Sequence, residues 1–372
     1  MTFQQTSERI KLSGPACEPG TLSALIPIKE VTVSKPRIAI NGFGRIGRTV
    51  VRIAKMSGHF DVVAVNDLAD PDQLLYAFKY DSIHGTYPGE VGLYDNVMVI
   101  DGDAFKVLSE EDPEALPWKE LHVDYVIEST GQFRHLKDLH HHLKSGAQRV
   151  LVTVPTKDDL ESTVVIGVND HVVTKDSLVI SNASCTTNCA APVAKVLHEN
   201  FGIEHGLLTT IHAYTSDQRL IDSPHSGDLR RSRNAATNII PTTTGAAKAI
   251  GRVLPELDGK LDGLAMRVPI PDGSLVDLTV ELSRDTDKDE VNAAMKDSAQ
   301  SDLVGILEYS EEALVSCDIV GNAHSSIFDA SLTQVIDHRL VKVISWYDNE
   351  WGYSSRVGDL ISRLALMDGI SD

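Results

Sequence analysis

The sequence predicts an α/β protein with a doubly wound, mostly parallel sheet, followed by an α+β part whose sheet is mixed or antiparallel. Two observations carry this prediction. From Pro36 to about Ser184, short apolar runs of strand length alternate with stretches of helical periodicity. Beyond Ser184 the apolar runs lengthen and alternate with polar residues, as at 276–282, which is typical of strands with one covered face. We therefore predict a domain boundary near residue 184.

The first elements form a βαβ unit of about thirty residues. A buried strand is predicted at 37–40, a helix at 49–56 and a second strand, rich in valine, at 60–65. Later strands are predicted at 97–100, 123–127, 150–154, 178–180 and 340–346, with helices at 133–145 and 358–367.

The composition indicates a globular protein of about two domains. Of its 372 residues 42% are hydrophobic, which excludes collagen-like and disordered classes. The net charge of −19 argues against general binding to nucleic acid or to an anionic membrane. No apolar run approaches the roughly 20 residues that span a bilayer. The four cysteines are too few for a disulfide framework, so we expect a reducing compartment, the cytoplasm.

Residues 1–35 lack the basic start and the apolar core of a signal peptide. We interpret them as an extension outside the main fold. The predicted organisation is this extension, a first domain at 36–184 and a second domain at 185–352.

A glycine-rich turn follows the first strand directly. Gly42, Gly44 and Gly47 match G-x-G-x-x-G, and Asp67 ends the second strand about 20 residues later. This arrangement is typical of a Rossmann-type dinucleotide site. The glycines allow a tight turn, close approach of a pyrophosphate and close helix packing, and the helix N-terminus faces the anion. Asp67 would accept hydrogen bonds from a ribose diol and disfavour a 2′-phosphate, so NAD is the expected cofactor. The segment 128–131 could line the same site.

Cys185 is predicted to lie near a helix N-terminus, because it follows a strand and Ser184 is a good N-cap residue. This position favours the thiolate, and a neighbouring imidazolium would favour it further. A buried structural thiol is the alternative for Cys185 and the preferred interpretation of Cys189. The two cysteines have no second pair or histidine cluster that would complete a zinc site, so no metal is predicted. Pro192 predicts a local kink in the helix.

His212 ends a β-branched run and could project from a strand towards the thiolate. The three consecutive histidines at 140–142 lie on a predicted polar helix, and we interpret them as a solvated face. Phosphate is suggested by three arginines at 228–233, by threonine hydroxyls at 242–244, and by Arg267 in an apolar segment. Surface ion pairs are the alternative interpretation of the arginines at 228–233.

Together these motifs resemble those of phosphorylating glyceraldehyde-3-phosphate dehydrogenases. The resemblance runs from about Pro36 to the C-terminus and is carried by residues 41–48, 184–189, 209–215, 243–248 and 346–353. It implies oxidation of D-glyceraldehyde 3-phosphate with NAD and phosphate to 1,3-bisphosphoglycerate, in glycolysis or gluconeogenesis. It also implies a homotetramer, in which the loop at 215–238 is buried between subunits. The C-terminal helix, 353–372 here, would return to the cofactor domain.

The resemblance also implies a role for each residue of the motifs. Cys185 would be the nucleophile, which forms a hemithioacetal and then a thioester, and His212 would be the base. The substrate phosphate would be held by Thr215, Arg231 and Arg267. Inorganic phosphate would be held by Ser184, Thr186, Thr244 and Gly245. The residues implied in cofactor binding are Asn41, Gly42, Gly44, Arg45, Ile46, Gly47, Asp67, Thr130, Gly131, Thr153, Asn349 and Tyr353.

Three alternatives remain open at this point. An erythrose-4-phosphate dehydrogenase shares the nucleophile motif, would hydrolyse the thioester, and tends to lack the run that this chain has at 244–248. A catalytically silent NAD-binding protein would be indicated by loss of Cys185 or His212, and both are present. Ser223 stands where many NAD-preferring members have leucine, so NADP use is open.

Overall fold

The computed structural model describes residues 35–160 and 162–370. The predicted extension therefore lies outside the described residues, except for Lys35. Within the described ranges the helices are α1 (Arg45–Ser57), α2 (Pro71–Lys79), α3 (Leu136–Lys144), α4 (Cys185–Phe201), α5 (Ala246–Val253), α6 (Lys288–Ala299), α7 (Ser316–Ile319) and α8 (Trp351–Asp368). None of these helices is long and apolar enough to cross a membrane.

The first sheet is mostly parallel. Its strands are β1 (Arg37–Asn41), β2 (Asp61–Asn66), β3 (Val91–Tyr94), β4 (Val97–Ile100), β5 (Asp103–Leu108), β6 (Tyr125–Glu128), β7 (Arg149–Val152) and β8 (Val179–Ser181). Their spatial order is β3-β4-β5-β2-β1-β6-β7-β8. Strand β1 pairs in parallel with β2 and β6, so the chain order reverses at β1, while β3 and β4 add antiparallel pairs at one edge. The predicted doubly wound sheet is confirmed.

The second sheet is mixed, as predicted. Its strands are β9 (Ile203–Ala213), β10 (Ile240–Thr243), β11 (Leu261–Val268), β12 (Ser274–Leu282), β13 (Leu307–Ser310), β14 (Ser326–Asp329), β15 (Gln334–Ile336) and β16 (Leu340–Tyr347). The order is β10-β11-β9-β12-β16-β14-β13, and β15 also pairs with β16. Strands β9 and β11 run parallel, whereas β12 is antiparallel to both β9 and β16.

Strand β12 shows why the second sheet has one covered face. Every second residue along it is fully buried, and the residues between are partly exposed. Its buried residues pack in one core with the apolar residues of α4, including Val193 and Leu197. Helix α4 runs through Pro192 without ending there, and most of its side chains are buried. The helix that carries Cys185 is therefore held rigidly against the sheet.

Helix α8 begins seven residues before its predicted start at Gly358. The Asp348 carboxylate accepts hydrogen bonds from the N–H groups of Glu350 (2.8 Å) and Trp351 (2.6 Å), which supplies partners for the first turn. The helix packs in the core of the first sheet. At its last turn, Asp368 accepts hydrogen bonds from Arg149 at 2.5 and 2.8 Å. The domain boundary near residue 184 remains a prediction.

The predicted solvated face of α3 is wrong for His142. The side chain of His142 is fully buried, whereas His140 is exposed. Trp118 Nε1 donates to His142 Nδ1 at 3.0 Å, so the ring proton lies on Nε2, 3.1 Å from the Glu128 carboxylate. Leu139 and His142 are three positions apart and face inward together, so the run of three histidines crosses from the solvent face to the core face.

Candidate active site

The turn after β1 brings the glycine loop against the loop that follows β6. Gly42 has a φ of +94°, and a Cβ there would lie 2.6 Å from the backbone nitrogen of Thr130. A Cβ on Gly47 would lie 2.3 Å from the Gly42 oxygen. At Gly44 a Cβ would meet nothing within 4 Å, so open space lies before the N-terminus of α1. These are the properties expected of a loop that receives a pyrophosphate.

Asp67 lies at the end of β2, next to this loop. Its Oδ2 accepts a hydrogen bond from the N–H of Phe43 at 2.8 Å, which fixes the loop to the strand. Asp67 and the loop glycines Gly42 and Gly44 line a cleft of about 640 Å³, together with Glu110 and Glu111. Polar groups that could hold an adenosine ribose and a pyrophosphate therefore share one cleft.

The buried carboxylate of Glu128 connects three parts of the cofactor region. Its Oε2 accepts from Asn41 Nδ2 at 2.6 Å and lies 3.1 Å from His142 Nε2. Its Oε1 accepts from the N–H of Thr130 at 2.8 Å and from the Thr130 hydroxyl. The strand before the glycine loop, the loop after β6 and helix α3 are thus fixed to one another.

A second cleft, of about 330 Å³, shares Ser129 and Thr130 with the first. The two clefts therefore form one groove from Asp67 to Cys185. The predicted residues that line the second cleft are Arg45, Ile46, Thr130, Gly131, Thr153, Ser184, Cys185, His212, Thr215, Arg267, Asn349 and Tyr353.

Cys185 is the first residue of α4, as its flanking residues predicted. The Ser184 side chain accepts from the N–H of Thr187 at 3.1 Å and caps the helix. Ala183, just before the cap, has a φ of +52°, a conformation that is costly for a residue other than glycine and that is often found at functional sites. The tight turn from β8 brings the Cys185 sulfur to 3.5 Å from His212 Nε2, on β9.

Two groups contact the other ring nitrogen of His212. Nδ1 lies 2.7 Å from the carbonyl oxygen of Ala213 and 2.8 Å from a guanidinium nitrogen of Arg267. With its proton on Nδ1, the ring donates to Ala213 and leaves Nε2 free to accept the thiol proton. With the proton on Nε2, Arg267 donates to Nδ1 instead. Arg267 therefore influences which nitrogen of His212 is the base.

The stabilisation of a Cys185 thiolate stays a prediction, and burial of the sulfur opposes it. Burial raises the pKa of Cys185 to about 11, which outweighs the positive charge of Arg267 and a hydrogen bond from Thr186. Burial and Arg267 lower the pKa of His212 to about 3. Both shifts disfavour the charged form of the group concerned, so an uncharged imidazole nitrogen faces the thiol. The thiolate would form by transfer of the proton to His212.

One predicted anion-binding pair is held together by a carboxylate. Asp217 accepts hydrogen bonds from the Thr215 hydroxyl and, at 2.7 Å, from Arg231. Thr215 lines the cleft with Cys185, while Arg231 lies behind it and lines a neighbouring cleft. The sequence reasoning missed Asp217, whose position between two anion-binding candidates was the only available signal.

The residues predicted to bind inorganic phosphate are only partly brought together. Ser184 lines the cleft, but Thr244 and Gly245 lie outside it, at the start of α5. The Thr186 side chain is buried and its hydroxyl lies 2.8 Å from that of Tyr347. The Thr186 hydroxyl therefore faces Tyr347, because the first turn of α4 points this side chain into the core.

An ionic network missed by the sequence reasoning lies beside the groove. Arg45 contacts Asp81 at 2.5 Å and also Glu350, which in turn lies 3.0 Å from His84. Burial alone would raise the pKa of Glu350, but hydrogen bonds from Arg45 and His84 bring it below its usual value. Arg45 and Glu350 are 305 positions apart, so no local motif signals the contact.

One group of side chains near this network has the composition of a metal site. His84, Asp272 and Asp348 bring potential ligand atoms within 4.8 Å of one another. Burial and the neighbouring Asp348 carboxylate raise the pKa of Asp272 far above that of a free carboxyl group.

The fold and the groove define a nicotinamide-dinucleotide-dependent dehydrogenase. A family model for the NAD binding domain of glyceraldehyde 3-phosphate dehydrogenase matches residues 36–136, and one for its C-terminal domain matches residues 184–349. The chain belongs to the glyceraldehyde-3-phosphate dehydrogenase family.

Three relatives illustrate the similarity, and each is named glyceraldehyde-3-phosphate dehydrogenase. The protein of Borreliella burgdorferi is 54% identical over 335 residues, which is 88% of this chain and 99% of that protein. The protein of Geobacillus stearothermophilus is 55% identical over 330 residues, 88% and 98% of the two chains. That of Streptomyces coelicolor is 56% identical over 327 residues, 87% and 97%.

Proposed function

We propose that this protein oxidises D-glyceraldehyde 3-phosphate and takes up inorganic phosphate to give 1,3-bisphosphoglycerate and NADH. The observation that carries the proposal is the 3.5 Å contact between Cys185 Sγ and His212 Nε2 in a groove that fits a dinucleotide. Membership in the family agrees with it.

The chemistry of the chain begins with the thiol. Cys185 transfers its proton to His212 Nε2, and the sulfur attacks the aldehyde carbon to form a hemithioacetal. The first N–H groups of α4 have no carbonyl partner within the helix, so the Cys185 N–H can donate to the oxygen. His212 returns the proton to this oxygen, which becomes the hemithioacetal hydroxyl, and takes it up again as the hydride leaves the carbon. NAD, when bound, supplies the oxidant that accepts the hydride from this carbon. Inorganic phosphate displaces Cys185 from the resulting thioester.

We propose that Arg267 and Thr215, with Arg231 behind them, hold the substrate phosphate. Ser184, Thr244 and Gly245 would hold the attacking phosphate. Arg267 and the N-terminal ends of α4 and α5 supply positive potential in a chain of net charge −19, whereas Arg231 is paired with Asp217.

The adenosine end of the groove favours NAD over NADP. Asp67, Glu110 and Glu111 line it, and their negative charges would repel a 2′-phosphate. Ser223 lies in the loop at 215–238, which the family resemblance places between subunits, so this preference for NAD rests on the three acidic residues alone.

We further propose that the protein is a homotetramer in the cytoplasm. Four large apolar side chains between residues 215 and 239 are at least 66% exposed in the single chain, and an oligomer contact would cover them: Leu220, Ile221, Leu229 and Ile239. The free thiols of Cys185, Cys189 and Cys317 suit a reducing compartment. Analytical ultracentrifugation tests the tetramer, and a monomer at micromolar concentration would contradict it.

The activity is tested by NAD reduction with D-glyceraldehyde 3-phosphate, with and without inorganic phosphate. We expect sustained turnover only with phosphate. Cys185→Ser should abolish turnover and keep NAD binding, and Cys317→Ser, which replaces an exposed thiol, should be as active as the wild type. Equal rates without phosphate would show that water resolves the thioester, and full activity of Cys185→Ser would exclude the proposed nucleophile.

A further inference from the structure

Asn349, which we place at the nicotinamide end of the groove, is held at its backbone by the turn before β12 and at its side chain by Ser274, the first residue of β12. Its backbone N–H donates to Asp272 Oδ1 at 3.1 Å. Its side-chain Oδ1 lies 2.7 Å from the hydroxyl oxygen of Ser274. Asn349 itself is only 7% exposed and lines the cleft that contains Cys185.

The hydrogen bonds of Ser274 determine the direction of the Asn349 amide. Ser274 is fully buried, and its oxygen accepts from the N–H of Ala213 at 3.0 Å. A serine hydroxyl has one proton, and the backbone N–H of Ala213 can only donate. The Ser274 proton is therefore available to Asn349 Oδ1. If the Asn349 amide were turned so that its nitrogen faced Ser274, the buried hydroxyl proton would have no acceptor, which is unfavourable.

The amide nitrogen of Asn349 is consequently directed away from Ser274. Among the residues that the structure describes, no hydrogen-bond acceptor for Asn349 Nδ2 is observed, and this nitrogen is not completely buried. A donor of this kind, fixed in direction at the edge of the groove, suits the carboxamide oxygen of a nicotinamide.

We propose that Ser274 is a positioning residue that fixes the Asn349 amide so that its nitrogen faces the nicotinamide carboxamide. This inference rests on the proposed function, since it requires NAD in the groove. Through Ala213 the same hydroxyl also fixes the backbone next to His212. Ser274 thus sets the orientation of Asn349, the proposed partner of the carboxamide, relative to the base His212.

The test compares the affinities of the full-length protein for NAD and for ADP-ribose, which lacks the nicotinamide. In Ser274→Ala we expect NAD to bind about tenfold more weakly, the effect of losing one well-oriented hydrogen bond, with ADP-ribose changed less than about twofold. In an Asn349→Ala background, Ser274→Ala should have no further effect on NAD affinity, because Ser274 acts through Asn349.

Ser326→Ala is the matched control, because it removes an equally buried serine hydroxyl from the same sheet, bonded to Cys189 and Ser345. Its preference for NAD over ADP-ribose should equal that of the wild type. Unchanged NAD affinity in Ser274→Ala, or equal weakening of both ligands, would overturn the role of Ser274. A wild type that binds neither ligand would instead contradict the proposed function. Isothermal titration calorimetry gives both affinities without turnover.

Discussion

The sulfur of Cys185 lies 3.5 Å from Nε2 of His212, and burial disfavours the charged form of both groups. Arg267 acts on both. Its positive charge lowers the pKa of the thiol and that of the imidazole, while burial shifts the two in opposite directions. The guanidinium therefore favours a thiolate and disfavours an imidazolium, which keeps His212 available as a base.

Replacing Arg267 with leucine should make Cys185 less reactive. Without the guanidinium the pKa of the thiol rises above about 11, so the thiolate fraction near pH 8 falls, about tenfold for each pH unit of the shift. We expect slower alkylation by iodoacetamide, measured as loss of the Cys185 peptide by mass spectrometry. Arg231→Leu is the control, since Arg231 pairs with Asp217 behind the cleft. Equal rates in the wild type and Arg267→Leu would refute this role.

Removing Arg45 should destabilise the protein in a pH-dependent manner. Burial opposes ionisation of Asp81, but hydrogen bonds from Arg45 and from backbone N–H groups lower its pKa to about 2. A depressed carboxyl pKa contributes stability above the unfolded value, near 4, and this stability is lost as the pH falls towards 2. In Arg45→Met we expect a loss on the order of 2 kcal/mol near neutral pH, shrinking below about pH 4.

Urea unfolding at several pH values measures this loss. Lys55→Met is the control, because its partner Asp103 is 75% exposed and such pairs contribute little. A loss for Arg45→Met that did not depend on pH would show that packing, and not the ion pair, is responsible.

The buried histidine of α3 should matter far more than its exposed neighbour. His142→Leu leaves Trp118 Nε1 without an acceptor and removes one donor from the buried Glu128 carboxylate. We expect a decrease of about 3 kcal/mol in the free energy of unfolding, and His140→Leu should change it by less than about 0.5 kcal/mol. Urea unfolding at pH 7 compares the two, and similar values would contradict the assigned role of His142.

The parts of the fold and site that the sequence predicted correctly depend on short stretches of chain. The roles of Gly42 and Gly47 follow from a turn between adjacent elements, and the cap on Cys185 follows from Ser184. The sequence predicted that His212 projects towards Cys185 but gave no distance between them. That distance depends on how β9 lies beside α4. The period-two burial of β12 was readable because one face of its sheet is covered.

The errors and omissions share a different cause. His142 was misplaced because the core face of a helix depends on what packs against it, and the burial of the Thr186 side chain was not foreseen for the same reason. The burial of Cys185, which raises the pKa of its thiol, could not be read from the sequence because burial is a property of the assembled site. Asp217, Ser274 and Glu350 were missed because their partners come from distant strands and loops, and the contact of Glu350 with Arg45 joins segments 305 residues apart.

The hydrogen bonds that converge on the Glu128 carboxylate should restrict how this part of the protein evolves. Asn41, Thr130 and His142 all depend on it, although they lie in three separate segments of the chain. A substitution at any one of these four positions changes which residues are tolerated at the other three. Substitutions there should thus arise in compensating sets among descendants of this gene, and the order in which they accumulate should be restricted. The exposed His140, which has no part in this network, should drift freely.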